Sequence, residues 1–208
     1  MSTWSGSWAG LSKTEPSLTM RRNTRELILE TSLALFNQMG EPNVSTNHIA
    51  DEADISPGNL YYHFRSKDDI SLELFKLFLL RIQSLLQIED EKQVNVEAFS
   101  LRLHLVFEIM GQFRFLYRNM ADLQQRIRNL RKAFHGLLAR QREALLETFQ
   151  ILEADGVMQI TPGEMDMLAE NLSLHMSFWI PYAEIQNHPG LQDGSVLTDA
   201  VSRCLYLV

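Results

Sequence analysis

VSTNHIADEADISPGNLYYHFRSK, residues 44–67, reads as two short helices joined by a tight turn. Ser45 or Thr46 offers an N-cap oxygen, and Val44, Ile49, Ala50 and Ala53 supply the apolar positions of a helix that ends near Ala53. Ser56-Pro57 then sets a capping serine before a proline at the first helical position, where a missing N–H leaves no bond unmade. This next helix runs through about Phe64. A turn of three or four residues, with small Ala50 at the crossing and Ile55 and Leu60 holding the pair together, is the spacing of a helix-turn-helix. In that motif the first turn of the second helix faces base edges in the major groove, which puts Ser56, Gly58 and Asn59 at readout positions. Tyr61, Tyr62, His63 and Lys67 follow with hydroxyl, imidazole and ammonium donors suited to phosphate oxygens. Thr46 can add its hydroxyl to the free N–H groups at its helix start.

Upstream, Leu27, Ile28, Ala34, Leu35 and Phe36 predict a helix over 22–39, ended by Gly40 as a left-handed cap. Downstream, Ser66-Lys67-Asp68-Asp69 has a capping-box form and opens a fourth helix with Leu72, Phe75, Leu79, Ile82 and Leu86 toward the core. Asn95 caps a fifth over 96–113, and an aromatic piece, 113–118, follows. The spacing of Leu123, Ile127, Leu130, Phe134 and Leu137, continued to Leu152, predicts one helix of roughly 30 residues that stops at Asp155-Gly156. Thr161-Pro162-Gly163-Glu164 starts another that runs toward Pro181, Pro189-Gly190 marks a loop, and 197–208 forms a last apolar helix. No strand alternation of useful length and no internal repeat occurs. The expected fold is all-α: a tail over 1–20, with Met20 as a candidate start, a three-helix domain over 21–66, and a helical domain over 67–208.

The 208 residues carry 19 Lys+Arg against 26 Asp+Glu, a net charge of −7, which at first counts against a nucleic-acid partner. Segment by segment the balance is uneven: 9 Lys/Arg to 14 Asp/Glu in 1–101, 9 to 2 in 102–142, and 1 to 10 in 143–208. An acidic chain can therefore present a locally basic surface. Cys204 stands alone, which excludes an internal disulfide and a Cys-rich zinc site and fits a reducing, cytoplasmic setting. Nothing resembles a secretory signal, and no apolar run reaches a membrane-spanning length of about 18 residues. No nucleophile elbow or phosphate-binding glycine loop is present, so neither catalysis nor a cofactor is expected.

Helix 1 ending in Phe36-x-x-x-Gly40, then Thr46-x-x-Ile49-Ala50, Ser56-x-Gly58-x-Leu60-Tyr61-Tyr62-His63-Phe64 and Lys67, together resemble the tetracycline-repressor (TetR) family of bacterial transcription regulators over about 22–75. The chain departs from the family pattern at Asp54, where glycine is usual in the turn; aspartate tolerates left-handed geometry, so the motif is expected intact. The resemblance implies phosphate contacts from Thr46, Tyr61, His63 and Lys67, and base contacts from Asn47, Pro57, Gly58 and Asn59. It also implies a homodimer that meets a palindromic double-stranded operator and is released as a repressor by a small effector. Dimerisation is implied on the last two helices, with Leu168, Leu172, His175, Met176, Val201 and Leu205 as seam candidates.

A largely apolar effector needs an apolar pocket with a few polar tips, for which His104, Phe107, Tyr117, Phe149, His175 and Trp179 are the candidates. No carboxylate or cysteine spacing accompanies the histidines, so no metal is expected. Arg21, Arg22 and Arg25 have two readings, a contact with DNA backbone or minor groove and a solvated arm. Arg128, Lys132, His135 and Arg142 share one stripe, open to three: a solvated face, a partner for the acidic C-terminal third, or an attractor for an anionic effector. Two other function classes stay open, a helix-turn-helix module that binds proteins or ligands without DNA affinity and an enzyme on a helical scaffold. Regulation of either sign, repression or activation, fits the favoured class.

Overall fold

Capping oxygens set most helix starts. In the computed structural model, which describes residues 23–88 and 94–208, Asn23 Oδ1 accepts from Arg25 N and begins α1, Thr24–Met39. The expected tail, with Met20, Arg21 and Arg22, lies outside the described residues. Ser45, Ser56 and Ser66 cap α2 (Thr46–Glu52), α3 (Pro57–His63) and α4 (Lys67–Gln83) in the same way. Each hydroxyl satisfies one of the N–H groups that a helix start leaves without a partner. A 3-10 turn, Ser84–Leu86, extends α4. Asn95 caps α5, Val96–Gln112, as its position predicts, and α6 (Arg114–Arg118) and α7 (Met120–Arg126) follow. Then come α8 (Arg128–Ala154), α9 (Pro162–Ile185), α10 (Gly190–Asp193) and α11 (Ser195–Leu207). Thr161 and Glu164 form the reciprocal capping box that opens α9.

The helical class is as expected, but three local expectations are corrected. The single helix across 123–154 is two, because Ile127 adopts φ −112°, ψ 97° and separates α7 from α8 while keeping its side chain buried. No glycine or proline marks that break. On α4 the buried apolar residues are Ile70, Leu74, Phe75, Phe78 and Ile82, whereas Leu72 and Leu79, and Leu86 in the turn that follows, are half-buried. The anchor is the Phe75–Phe78 pair, which packs against Phe134 and Phe113 and rotates the helix away from the expected face. Half of the six expected seam residues are core: Leu172, Met176 and Val201 are buried within the chain, whereas Leu168, His175 and Leu205 are half-buried.

One apolar core runs from Ile28 on α1 to Cys204 on α11. Helix α8 lies parallel to α4: Arg126, just before it, meets Asp68, Phe134 meets Phe75 at 4.6 Å, and Leu145 lies by Leu85. Gly111 permits α5 to approach α11 closely, since a Cβ there would stand 2.8 Å from Leu197 Cδ1. Burial pushes the Cys204 thiol up to about 12, so it is packing and not a thiolate. Among the described residues no helix is long and apolar enough to cross a membrane.

Candidate nucleic-acid interface

The turn between α2 and α3 closes by Ile55 N donating to the Ala50 carbonyl at 3.0 Å. Asp54 takes φ +51°, the left-handed conformation that the family glycine would supply. Ala50 and Leu60 are fully buried where the helices meet. With that side fixed inward, the opposite side of α3 faces solvent: Pro57, Gly58, Asn59, Tyr61 and Tyr62 are exposed, as is Asn47 on α2. Tyr62 is 84% exposed, more than a core aromatic would be. Its ring meets His63 edge-on at 5.2 Å, and His63 is half-buried.

Thr46 Oγ1 and Tyr61 Oη lie 2.9 Å apart and tie the start of α2 to the middle of α3. Ser56 differs from its neighbours, because its Oγ accepts from Asn59 N at 3.1 Å. It shapes the helix that carries Asn59. Lys67 is only 20% exposed at its side chain and donates from Nζ to the Glu41 carbonyl at 2.8 Å, with Glu41 Oε1 at 3.3 Å. The lysine is thus held at the head's edge instead of reaching freely into solvent. Arg25 is likewise engaged: it pairs with Glu73 at 2.9 Å and stacks on Phe64 at 5.1 Å. That guanidinium holds the Glu73 carboxyl below its ordinary range despite partial burial.

Glu41 itself gave no periodic signal in the sequence, yet it organises the base of this head. It is wholly buried and accepts both oxygens' bonds from Arg126 Nη2 at 2.9 Å, while Arg126 Nη1 reaches Asp68 at 2.6 Å. Burial works against the Arg126 charge, but Glu41, Asp68 and Asp122 outweigh it and raise its proton affinity. A second clamp forms on Asn37: its Nδ2 donates to the Gln112 carbonyl at 2.7 Å, and its Oδ1 accepts from Phe115 N at 3.0 Å. Arg114 and Arg118 donate to the Asn37 carbonyl, and Arg118 also pairs with Glu184 on α9. These partners lie 26 to 85 positions apart in the chain, beyond the reach of local pattern reading.

The six effector candidates do not converge. Phe107, His175 and Trp179 follow one another, Phe107 edge-on to His175 at 6.5 Å and His175 tilted over Trp179 at 5.2 Å. Tyr117 packs instead against Phe78 and Phe134, and Phe149 against Phe99. His104 stands apart from the others: the phase of α5 leaves it exposed, bonded to the Ser100 carbonyl. A pocket between the 84–86 turn, α5, α8 and Met176 on α9 holds about 20 Å³, room for about one water. A larger cleft of about 940 Å³ lies on the outer face of α9 and α11, between Phe178, Trp179 and Tyr206. Among the described residues no group of three or more His, Cys, Asp or Glu could hold a metal ion.

Comparison with known proteins matches residues 28–74 to the family described as bacterial regulatory proteins, tetR family, and residues 77–208 to the TetR bacterial transcriptional repressor model. The chain belongs to the TetR family. A TetR-family transcriptional regulator from Marinobacter aquaeolei VT8 is 32% identical, with 89% of each chain covered and a TM-score of 0.82. An HTH-type transcriptional regulator of Staphylococcus aureus (strain USA300) is 26% identical over 153 residues, 73% of this chain and 79% of that protein. The regulatory protein TetR from Rhodobacter sphaeroides, 19% identical, shares the fold with a TM-score of 0.65 over 87% of this chain and 98% of its own. This chain is accordingly a TetR-family transcriptional regulator, and DNA binding goes with the helix-turn-helix at its head.

Proposed function

We propose that this TetR-family regulator is a homodimeric repressor that reads a palindromic operator and leaves it when a small molecule binds. The observation that carries the reading is the outward face of α3, where Asn59, Gly58 and Tyr62 stand in solvent on a helix anchored by Leu60. Asn47, Pro57, Gly58 and Asn59 contact bases, and Thr46, Tyr61, Tyr62, His63 and Lys67 contact phosphates. Lys67 does so from a fixed position, because Glu41 holds its stem and one side of its ammonium.

The dimer forms on α9 and α11. Leu174, Phe178, Tyr182 and Ile185 are exposed at spacings of four, four and three, a helical stripe, and Tyr206 beside them is 92% exposed. A contiguous apolar face of this kind is covered in a stable soluble protein. The twofold sets two α3 helices about one DNA turn apart. An effector of largely apolar character enters by opening the α4, α5, α8 core and stabilises the arrangement with the wrong reading-head separation; only its preference for that arrangement releases DNA.

A gel shift on DNA from the chain's own upstream region, run across a salt series, tests the reading. A specific band that weakens steeply with salt is expected. No specific band, with no salt dependence, would sink it. Phe178→Glu is expected to give a monomer in analytical ultracentrifugation and to abolish the band.

A further inference from the structure

The basic middle of the chain divides in two. Arg114, Arg118 and Arg126 turn inward to the domain junction, and Arg142 pairs with Asp166. Arg128, Arg131 and Lys132 turn outward, and among the described residues none of them has a carboxylate partner. With His135 they line a groove of about 530 Å³ at the start of α8, floored by Phe134 and Leu138.

Folding alone disfavours this arrangement. The positive end of the helix dipole lies at the start of α8, where no acidic residue occupies the first turn and no side chain caps the helix. Arg128 stands three residues from Arg131 and four from Lys132, so like charges face one another on one surface. A bound anion relieves both costs. We propose that this groove binds a small organic phosphate or polyphosphate, its oxygens on the guanidinium groups of Arg128 and Arg131 and the ammonium of Lys132, its carbon portion against the apolar floor. Arginine forks match phosphate oxygens in pairs, and the groove volume suits a compound of metabolite size.

The groove opens two residues beyond Arg126, whose guanidinium holds Glu41 and Asp68 beside Lys67. An anion there therefore acts next to the clamp under the reading head. That regulatory consequence rests on the repressor reading; the binding itself does not.

Inorganic tripolyphosphate serves as the probe, titrated calorimetrically into the full chain at low ionic strength. The wild type is expected to bind one equivalent per chain. Arg131→Glu/Lys132→Glu is expected to weaken that binding at least tenfold, and Arg140→Glu to leave it unchanged. Absence of binding by the wild type, or equal binding by the double variant, overturns the proposal. If the charge reversal unfolds the chain by circular dichroism, Arg131→Gln/Lys132→Gln takes its place, with at least fivefold weakening expected. The salt slope of nonspecific duplex DNA binding is expected to be the same in wild type and variant; a shallower slope in the variant would give the groove to DNA and overturn the small-anion assignment. An operator band retained by the double variant without tripolyphosphate separates failure at the groove from failure of the repressor reading.

Discussion

Helix α3 and the junction beneath α4 are both rich in polar side chains, and they are built on opposite rules. On α3 the outward side chains touch only one another and the start of α2 among the described residues, Tyr61 meeting Thr46 and Tyr62 meeting His63, and Asn59 and Tyr62 stand in solvent where a ligand can reach them. At the junction every group is matched: Glu41 to Lys67 and Arg126, Arg126 to Asp68, Asn37 to Gln112, Arg114 and Phe115. Contact and placement are separate tasks here. The reading face can vary without harm to the fold, while the junction fixes where that face is carried.

The comparison predicts a sharp division between stability and affinity. The largest effect is expected from Glu41→Ala, which leaves Lys67 and Arg126 without their shared buried carboxylate and costs about 3 kcal/mol in denaturant unfolding. Asn59→Ala should instead weaken operator binding by about 2 kcal/mol, roughly 30-fold, with an unchanged melting temperature. If Asn59→Ala lowered the unfolding midpoint as Glu41→Ala does, the division would be broken. Ser56→Ala falls between the two regions, since its hydroxyl caps α3; about 1 kcal/mol of stability is expected to go, seen by urea titration.

The smallest effect concerns pH. His175 is depressed below its ordinary value of 6.5, first by burial, with the nearby Ala200 backbone opposing and the Arg203 charge adding to the depression. The unfolded chain therefore takes up this proton more readily than the folded one. The stabilisation is complete above pH 6.5 and is lost as pH falls through the folded value. A melting temperature that declines on acidification from pH 7, with a flatter decline in His175→Phe, is the expected outcome. Glu73 and Glu164, both lowered from 4.5, contribute only in a more acidic window.

Much of the head was legible because its signals are local. A capping serine, a proline at the first helical position and Asp54 in the turn each act within four residues, and the observed caps and φ angle match them. The outer stripe of α9 was not legible. That helix is apolar on two sides, Leu172 and Met176 inward and Leu174 and Phe178 outward, so periodicity alone cannot say which side the chain keeps for itself. Nor could periodicity find Glu41, because its partners come from α4 and α7. The effector candidates failed to converge for a related reason. Aromatic richness marked a core, and the core filled its own space with Phe78, Tyr117 and Phe134.

The extended residue Ile127 separates the rotational phases of α7 and α8. An α-helix advances 100° per residue, so an unbroken helix would hold Arg126 at about 160° from Arg128 and about 140° from Arg131 around one shared axis. By interrupting that progression, Ile127 gives each side of the break its own phase origin. Arg126 answers to the geometry of α7 and turns under the reading head, while Arg128, Arg131 and Lys132 answer to α8 and turn to solvent. Neighbours in one run of cations thus belong to two separate helices, one tied to the reading head and the other open to solvent.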